Sequence, residues 1–257
     1  MKIGLALSGG GTRGIAHLGV YKAFLEQGIK VSRISGVSAG AIAGAFIASG
    51  IHPDELLDIL LKTRLYKYFR PGITSTGVFK LELLEVLFKK YLKEENFEDL
   101  KIPLITSALN IKTGRIEYFD KGSLIPAILA SSSMPMIFNP IHINGQKYID
   151  GGLVENLPVS ALKTHCDYII GVHTNPINED YNKLTVRRYI ERIFLITINN
   201  NAQQSLKEAD FVIEPEGLKN IRWSDYSRAK EIFEMGYKCA LELLPQLKEK
   251  LKRSNIF

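Results

Sequence analysis

The chain has 257 residues, 46% hydrophobic and 23% charged, which excludes a disordered, collagen-like or disulfide-stapled protein. No apolar run approaches the roughly 18 residues of a membrane span, and the apolar stretch at residues 3–7 is too short for a secretory leader. Cys166 and Cys239 are the only cysteines and form no C-x-x-C pair, so the expectation is a cytoplasmic protein with reduced thiols and no bound metal. The net charge of +6 suits an anionic lipid surface, while no zinc-finger, RNP or helix-turn-helix pattern supports nucleic acid.

In chain order, residues 3–8 form an apolar run that fits a buried strand, stopped by Gly9-Gly10-Gly11. Residues 14–27 carry apolar side chains at helical spacing and end at Gly28, residues 31–35 read as a second strand, and residues 38–49 as an apolar, Ala- and Gly-rich helix. This β-α-β-α opening predicts an α/β fold with a parallel sheet covered by helices. Residues 53–63 and 79–92 predict amphipathic helices around an aromatic and basic loop, Tyr66-Lys67-Tyr68-Phe69-Arg70, which reads either as half-buried packing or as a contact with an anionic membrane surface. Strands are predicted at 102–110 and 115–119, and Asn144-Gly145 between 141–143 and 147–149 predicts a hairpin. Strands at 168–173 and 211–213 enclose a helix near 186–207, and a last helix starts at Ser224 or Asp225 and is broken or kinked at Pro245. No linker or repeat divides the chain, so residues 1–257 are read as a single domain.

Gly36-Val37-Ser38-Ala39-Gly40 matches G-x-S-x-G between a predicted strand and helix, the setting in which a tight turn exposes a nucleophilic serine. Glycines at 36 and 40 leave room for that turn, and the following helix N-terminus favours a developing oxyanion. Alone, Ser38 also reads as an N-cap. Gly9, Gly11 and Gly14 satisfy G-x-G-x-x-G, but a dinucleotide site wants an acid at the end of the next strand, where this chain has Arg33, Ile34 and Ser35. The glycines suit another use: the N–H groups of Gly10 and Gly11 can form an oxyanion hole. Arg13 either braces that loop, meets a phosphate, or forms a surface ion pair. Asp150-Gly151-Gly152 places a carboxylate where little crowds it, so Asp150 can serve as general base if it meets Ser38.

Taken together, Gly-Gly-Gly-x-Arg-Gly, Gly-x-Ser-x-Gly and Asp-Gly-Gly in this order resemble the bacterial patatin-like phospholipases. Residues 130–135 and 150–159, and later 209–213 and 225–229, are similar to that family as well. The resemblance implies a three-layer α/β/α fold with a mainly parallel central sheet. It also implies a cofactor-free Ser–Asp dyad for lipid acyl esters: Ser38 as nucleophile, Asp150 as base, Gly10 and Gly11 as oxyanion donors. Two rivals remain: a lipid- or nucleotide-binding module without catalysis, and an α/β-hydrolase triad. Of the five histidines, His173 suits a triad best, since it ends a strand and follows Asp150 in the chain. A serine elbow after only the second strand argues against it.

Overall fold

The computed structural model describes residues 1–63, 77–79, 82–178 and 185–254. The aromatic and basic loop at 66–70, read as packing or as a membrane contact, lies outside the described residues.

The opening strand β1 (Ile3–Leu7) is buried along its whole length and runs into a 3-10 turn, Gly11–Ile15, before helix α1 (Ala16–Glu26). The predicted helix start at 14 is therefore a tighter turn for its first residues, drawn in by the glycine run. Strand β2 (Arg33–Gly36) begins two residues later than the sequence suggested and leads through Val37-Ser38 into α2 (Ala39–Ala48). Next come α3 (Pro53–Lys62), β3 (Gly77–Phe79), α4 (Glu82–Tyr91), β4 (Leu104–Asn110), β5 (Arg115–Phe119) and α5 (Leu124–Ser131). After them stand β6 (Met136–Phe138), β7 (Ile141–Ile143) and β8 (Gln146–Asp150), then β9 (Tyr168–Val172), α6 (Val186–Glu208), β10 (Phe211–Ile213) and α7 (Ala229–Ser254).

The main sheet has the order β10-β9-β1-β2-β4-β8-β7, with β5 also on β4. Strands β10, β9, β1, β2 and β4 are mutually parallel, whereas β5, β8 and β7 join antiparallel. Strands β3 and β6 make a separate parallel pair that the sequence did not reveal. The β7–β8 hairpin turns on Asn144-Gly145, with both residues at positive φ (49° and 77°), as a two-residue turn of this kind requires.

Side-chain alternation separates the two faces of the sheet. Leu5 and Leu7 of β1, with Ile170 and Val172 of β9, enter the large core shared with α1, α2, α5 and α7. Ala6 and Ile169 point the other way, toward Leu157, Val159, Leu162 and Ala202 of α6. The architecture is thus a central, mainly parallel sheet flanked by helices. At the C-terminus α7 is not broken at Pro245 and continues to Ser254. Leu244 and Leu247, on either side of the proline, are buried against the core, and that packing holds the helix despite the missing N–H donor.

Candidate active site

The site lies beyond the carboxyl ends of β1 and β2, where parallel α/β sheets place their ligands. Strand β4 is the ruler that assembles it. Gly36, the last residue of β2, pairs with Thr106 of β4, and Asp150, the last residue of β8, pairs with Ala108. Two strands far apart in sequence therefore end two positions apart along a third, which brings the Ser38 turn and Asp150 together.

Ser38 has φ 54° and ψ −124°, a conformation a side-chain-bearing residue adopts at a cost of about 1–3 kcal/mol. Its surroundings over-determine it. The Ser38 N–H donates to Ser131 Oγ at 2.9 Å, while its carbonyl accepts from Ala41 and Ile42 and opens α2. A Cβ on Gly40 would strike the carbonyl of Leu7, and one on Gly36 the carbonyl of Gly40, so the turn presses against β1 with no room for side chains. Gly14 allows a similarly close approach to Ala39.

Asp150 is 4% exposed. Burial pushes its carboxyl up to about 6, against the opposing pull of hydrogen bonds from the Ser38 hydroxyl and the Gly152 N–H. The Gly152 bond measures 2.8 Å, and Gly151 packs against the Ser107 carbonyl on β4, which fixes the turn after Asp150. A buried carboxyl near 6 is matched to accepting a proton close to neutral pH.

In the glycine loop, the N–H groups of Ser8, Gly9, Thr12 and Arg13 are bonded to the carbonyls of Val172, Asn156, Trp223 and Gly10. Among the described residues, the N–H groups of Gly10 and Gly11 have no acceptor. They are the two the sequence singled out as oxyanion donors. The loop is held from behind: Asn175 Nδ2 and Thr174 Oγ1 both donate to the Gly9 carbonyl, at 2.6 and 3.1 Å. Gly11 has φ +56°, and a Cβ there would meet the Trp223 carbonyl.

Arg13 is buried at 5% exposure, so the surface ion pair is not what it forms. Its Nε donates to the Ile221 carbonyl at 2.8 Å, and burial lowers its pKa to about 10. It clamps the segment carrying Trp223 onto the loop, and its Nη1 has no protein partner among the described residues. Arg33 opens β2 at the opposite end of the sheet from the glycines, so it cannot serve a nucleotide held by them. His173 is fully buried, bonded through Nδ1 to Glu214 at 2.8 Å, and is not among the residues lining the Ser38 cavity. The serine hydroxyl meets Asp150 instead.

Sequence reasoning assigned no role to Asn156, Thr174 or Asn175. Asn156 accepts from the Gly9 N–H through its carbonyl and lines the cavity beside Ser38 and Asp150. A polar Thr174-Asn175 pair just past a buried strand was the available signal for the other two.

Ser38, Asp150 and the glycine loop open on a cavity of about 1730 Å³. That exceeds the roughly 300–1,000 Å³ of ordinary small-ligand sites. Its far wall is apolar: Ile42 and Phe46 of α2, Leu56 and Leu60 of α3, Leu87 and Phe88 of α4. Among the described residues no cluster of His, Cys, Asp and Glu could hold a metal.

An uncharacterized NTE family protein of Mycobacterium tuberculosis is 30% identical over 178 residues, covering 68% of this chain and 49% of the relative. Lysophospholipase NTE1 of Pyricularia oryzae is 25% identical over 96% of this chain and 19% of its own length. The chain thus spans about half the length of the mycobacterial relative and about a fifth of the fungal one. VipD of Legionella pneumophila superposes with a TM-score of 0.58 at 16% identity, over 95% of this chain and 67% of that one, which shows a shared fold. The patatin-like phospholipase family model matches residues 5–163, more than half of the chain and the whole span from the glycine loop past Asp150. The chain belongs to the patatin-like phospholipase family.

Proposed function

We propose that the protein is a serine hydrolase of lipid acyl esters, of phospholipase A or lysophospholipase type. The observation that carries this reading is the pairing of Ser38, at positive φ, with a buried Asp150 carboxyl raised to about 6, at the head of a large apolar cavity. Ser38 Oγ attacks the ester carbonyl carbon and its proton passes to Asp150. The carbonyl oxygen takes the negative charge and is met by the N–H groups of Gly10 and Gly11. Collapse of the intermediate breaks the bond to the alcohol, which leaves with the proton from Asp150. Water then attacks the acyl-serine carbonyl carbon and gives a proton to Asp150; collapse breaks the bond to Ser38 Oγ, which takes that proton back, and the fatty acid departs. No step needs a metal or cofactor. The apolar wall of α2, α3 and α4 suits the acyl chain, and the fungal relative's name favours a substrate with one such chain.

Hydrolysis across phospholipids, lysophospholipids, glycerides and short esters tests the reading. Turnover of at least one long-chain ester, abolished by Ser38→Ala with an unchanged circular dichroism spectrum, is expected. Equal turnover by the Ser38→Ala protein would contradict it. Specific binding of a lipid or nucleotide with no turnover of any ester would favour the binding-module alternative.

A further inference from the structure

In a trans peptide the carbonyl and the following N–H share one plane and point opposite ways, so whatever holds the carbonyl also aims the N–H. A glycine run makes that coupling matter. With no Cβ on either residue, a Gly-Gly peptide has little preference of its own for which way it faces. Turned over, the Gly9–Gly10 peptide would present its carbonyl, an acceptor, to a developing oxyanion.

The peptides of the loop are held in different ways. His17 Nε2 donates to the Ser8 carbonyl at 2.8 Å, and the Asn156 carbonyl accepts from the Gly9 N–H at 3.1 Å, so the Ser8–Gly9 peptide is fixed at both ends. The Gly10–Gly11 peptide is held by the loop's own turn, through the Arg13 N–H on the Gly10 carbonyl at 3.2 Å. The Gly9–Gly10 peptide depends on side chains more than 160 positions away: Asn175 Nδ2 and Thr174 Oγ1 on the Gly9 carbonyl. They reach it because β1 and β9 run parallel with Leu7 beside Val172, which sets the residues just past each strand side by side.

Both side chains are themselves fixed. Thr174 and Asn175 are 0% and 1% exposed. The Thr174 N–H donates to Ser8 Oγ at 3.0 Å, and Asn199 of α6 donates to the Asn175 carbonyl at 3.0 Å. Farther along α6, Asn201 bonds the Gly152 carbonyl and the Asn156 N–H, so this half of the helix is anchored to both sides of the site. A Cβ on Gly10 would collide with Thr174 Oγ1, so a glycine there is what lets the hydroxyl approach. One donor would satisfy a buried carbonyl. Two occupy both of its lone pairs and leave the peptide plane little freedom to turn.

We infer that Thr174 and Asn175 are positioning residues for the oxyanion hole: by holding the Gly9 carbonyl, they turn the Gly10 N–H toward the ester oxygen. The inference rests on the lipid-hydrolase reading. Two donors on the carbonyl also polarise the peptide, which makes its N–H the stronger donor.

The test is hydrolysis of a soluble ester by the full chain, with kcat expressed per folded molecule and stability measured on the same samples. Thr174→Val and Asn175→Leu remove the donors at nearly constant volume. Together they should lower kcat by about 10- to 100-fold with KM within about twofold, since the Gly10 N–H is misaimed and the oxyanion forms only after attack. Thr174→Ser keeps the hydroxyl, so in the Asn175→Leu background it should retain a kcat at least about fivefold above that of Thr174→Val. If the double variant folds poorly, Thr174→Val against Thr174→Ser in the otherwise native chain makes the same comparison, with the same order of kcat expected. An unchanged kcat per folded molecule with only stability lost would overturn the inference, because the two side chains would then do no more than satisfy a carbonyl. A loss that falls in KM would overturn it too, by making Asn175 a substrate contact. Either result in a chain whose turnover is abolished by Ser38→Ala strikes the inference alone. A wild-type chain that turns over no ester removes the hydrolase reading and the inference with it.

Discussion

At the scale of single residues, the charge on Asp150 governs both proposed activity and stability. Only the ionised carboxylate can take the Ser38 proton, so kcat/KM for a soluble ester should fall below about pH 6 and level off above it. An acid limb near pH 4, where an unburied carboxylate titrates, would contradict the burial effect. The sign for stability is opposite to that of most native carboxylates. Because the folded carboxyl sits near 6, above the ordinary 3.8, the folded protein holds this proton more tightly than the unfolded chain, and that stability is lost as pH rises through about 6. Asp150→Asn should therefore abolish turnover and yet raise stability at neutral pH by up to about 3 kcal/mol, with no gain below about pH 4. Chemical denaturation across pH checks both halves. Gly10→Ala should cost about 100-fold or more in kcat with little change in KM, because the oxyanion exists only after attack. An equal loss in KM would assign that loop to substrate binding. His173→Ala removes a fully buried ring and should lower stability, but kcat per folded molecule should stay within about tenfold of wild type. A loss as deep as that of Ser38→Ala would restore the histidine triad.

Elements differ in how plainly the sequence announces them. The elbow at Ser38 was legible because its requirements are local: a strand end, two glycines that must lie against backbone, and a helix start. The Asn144-Gly145 hairpin was legible for the same reason, since both residues accept positive φ. Asp150 could be named as a candidate, but its meeting with Ser38 depends on β2 and β8 both ending on β4, a register that no window of sequence encodes. Strands β3 and β6, three residues each, are too short to show alternation. Pro245 does not end its helix, since the core contacts of Leu244 and Leu247 outweigh its local preference. That reading has a consequence at the level of the helix. Pro245 is exposed, so Pro245→Ala should restore one backbone hydrogen bond without loss of packing and stabilise the protein by about 1–3 kcal/mol in equilibrium denaturation. No gain would mean that the chain has adapted its backbone around the proline.

At the scale of the whole molecule, two faces of one sheet do different work. On one, α1, α2, α5 and α7 share a large core with the buried strands and supply the bulk of the apolar burial. On the other, the short turns after Asp150 and the anchored half of α6 leave a thinner layer, and the backbone there is held by asparagine side chains. The division sets a rigid support beneath Ser38 and a polar, finely hydrogen-bonded framework around Asp150, with the apolar cavity running between the helices. The proposed mechanism stands or falls on whether Ser38 is the group that becomes acylated. Treatment with a fluorophosphonate, followed by peptide mass spectrometry, reads it directly. One adduct is expected, on the peptide carrying Ser38, lost in Ser38→Ala and strongly slowed in Asp150→Asn. An adduct on another serine, or labelling that persists unchanged in Ser38→Ala, would contradict it.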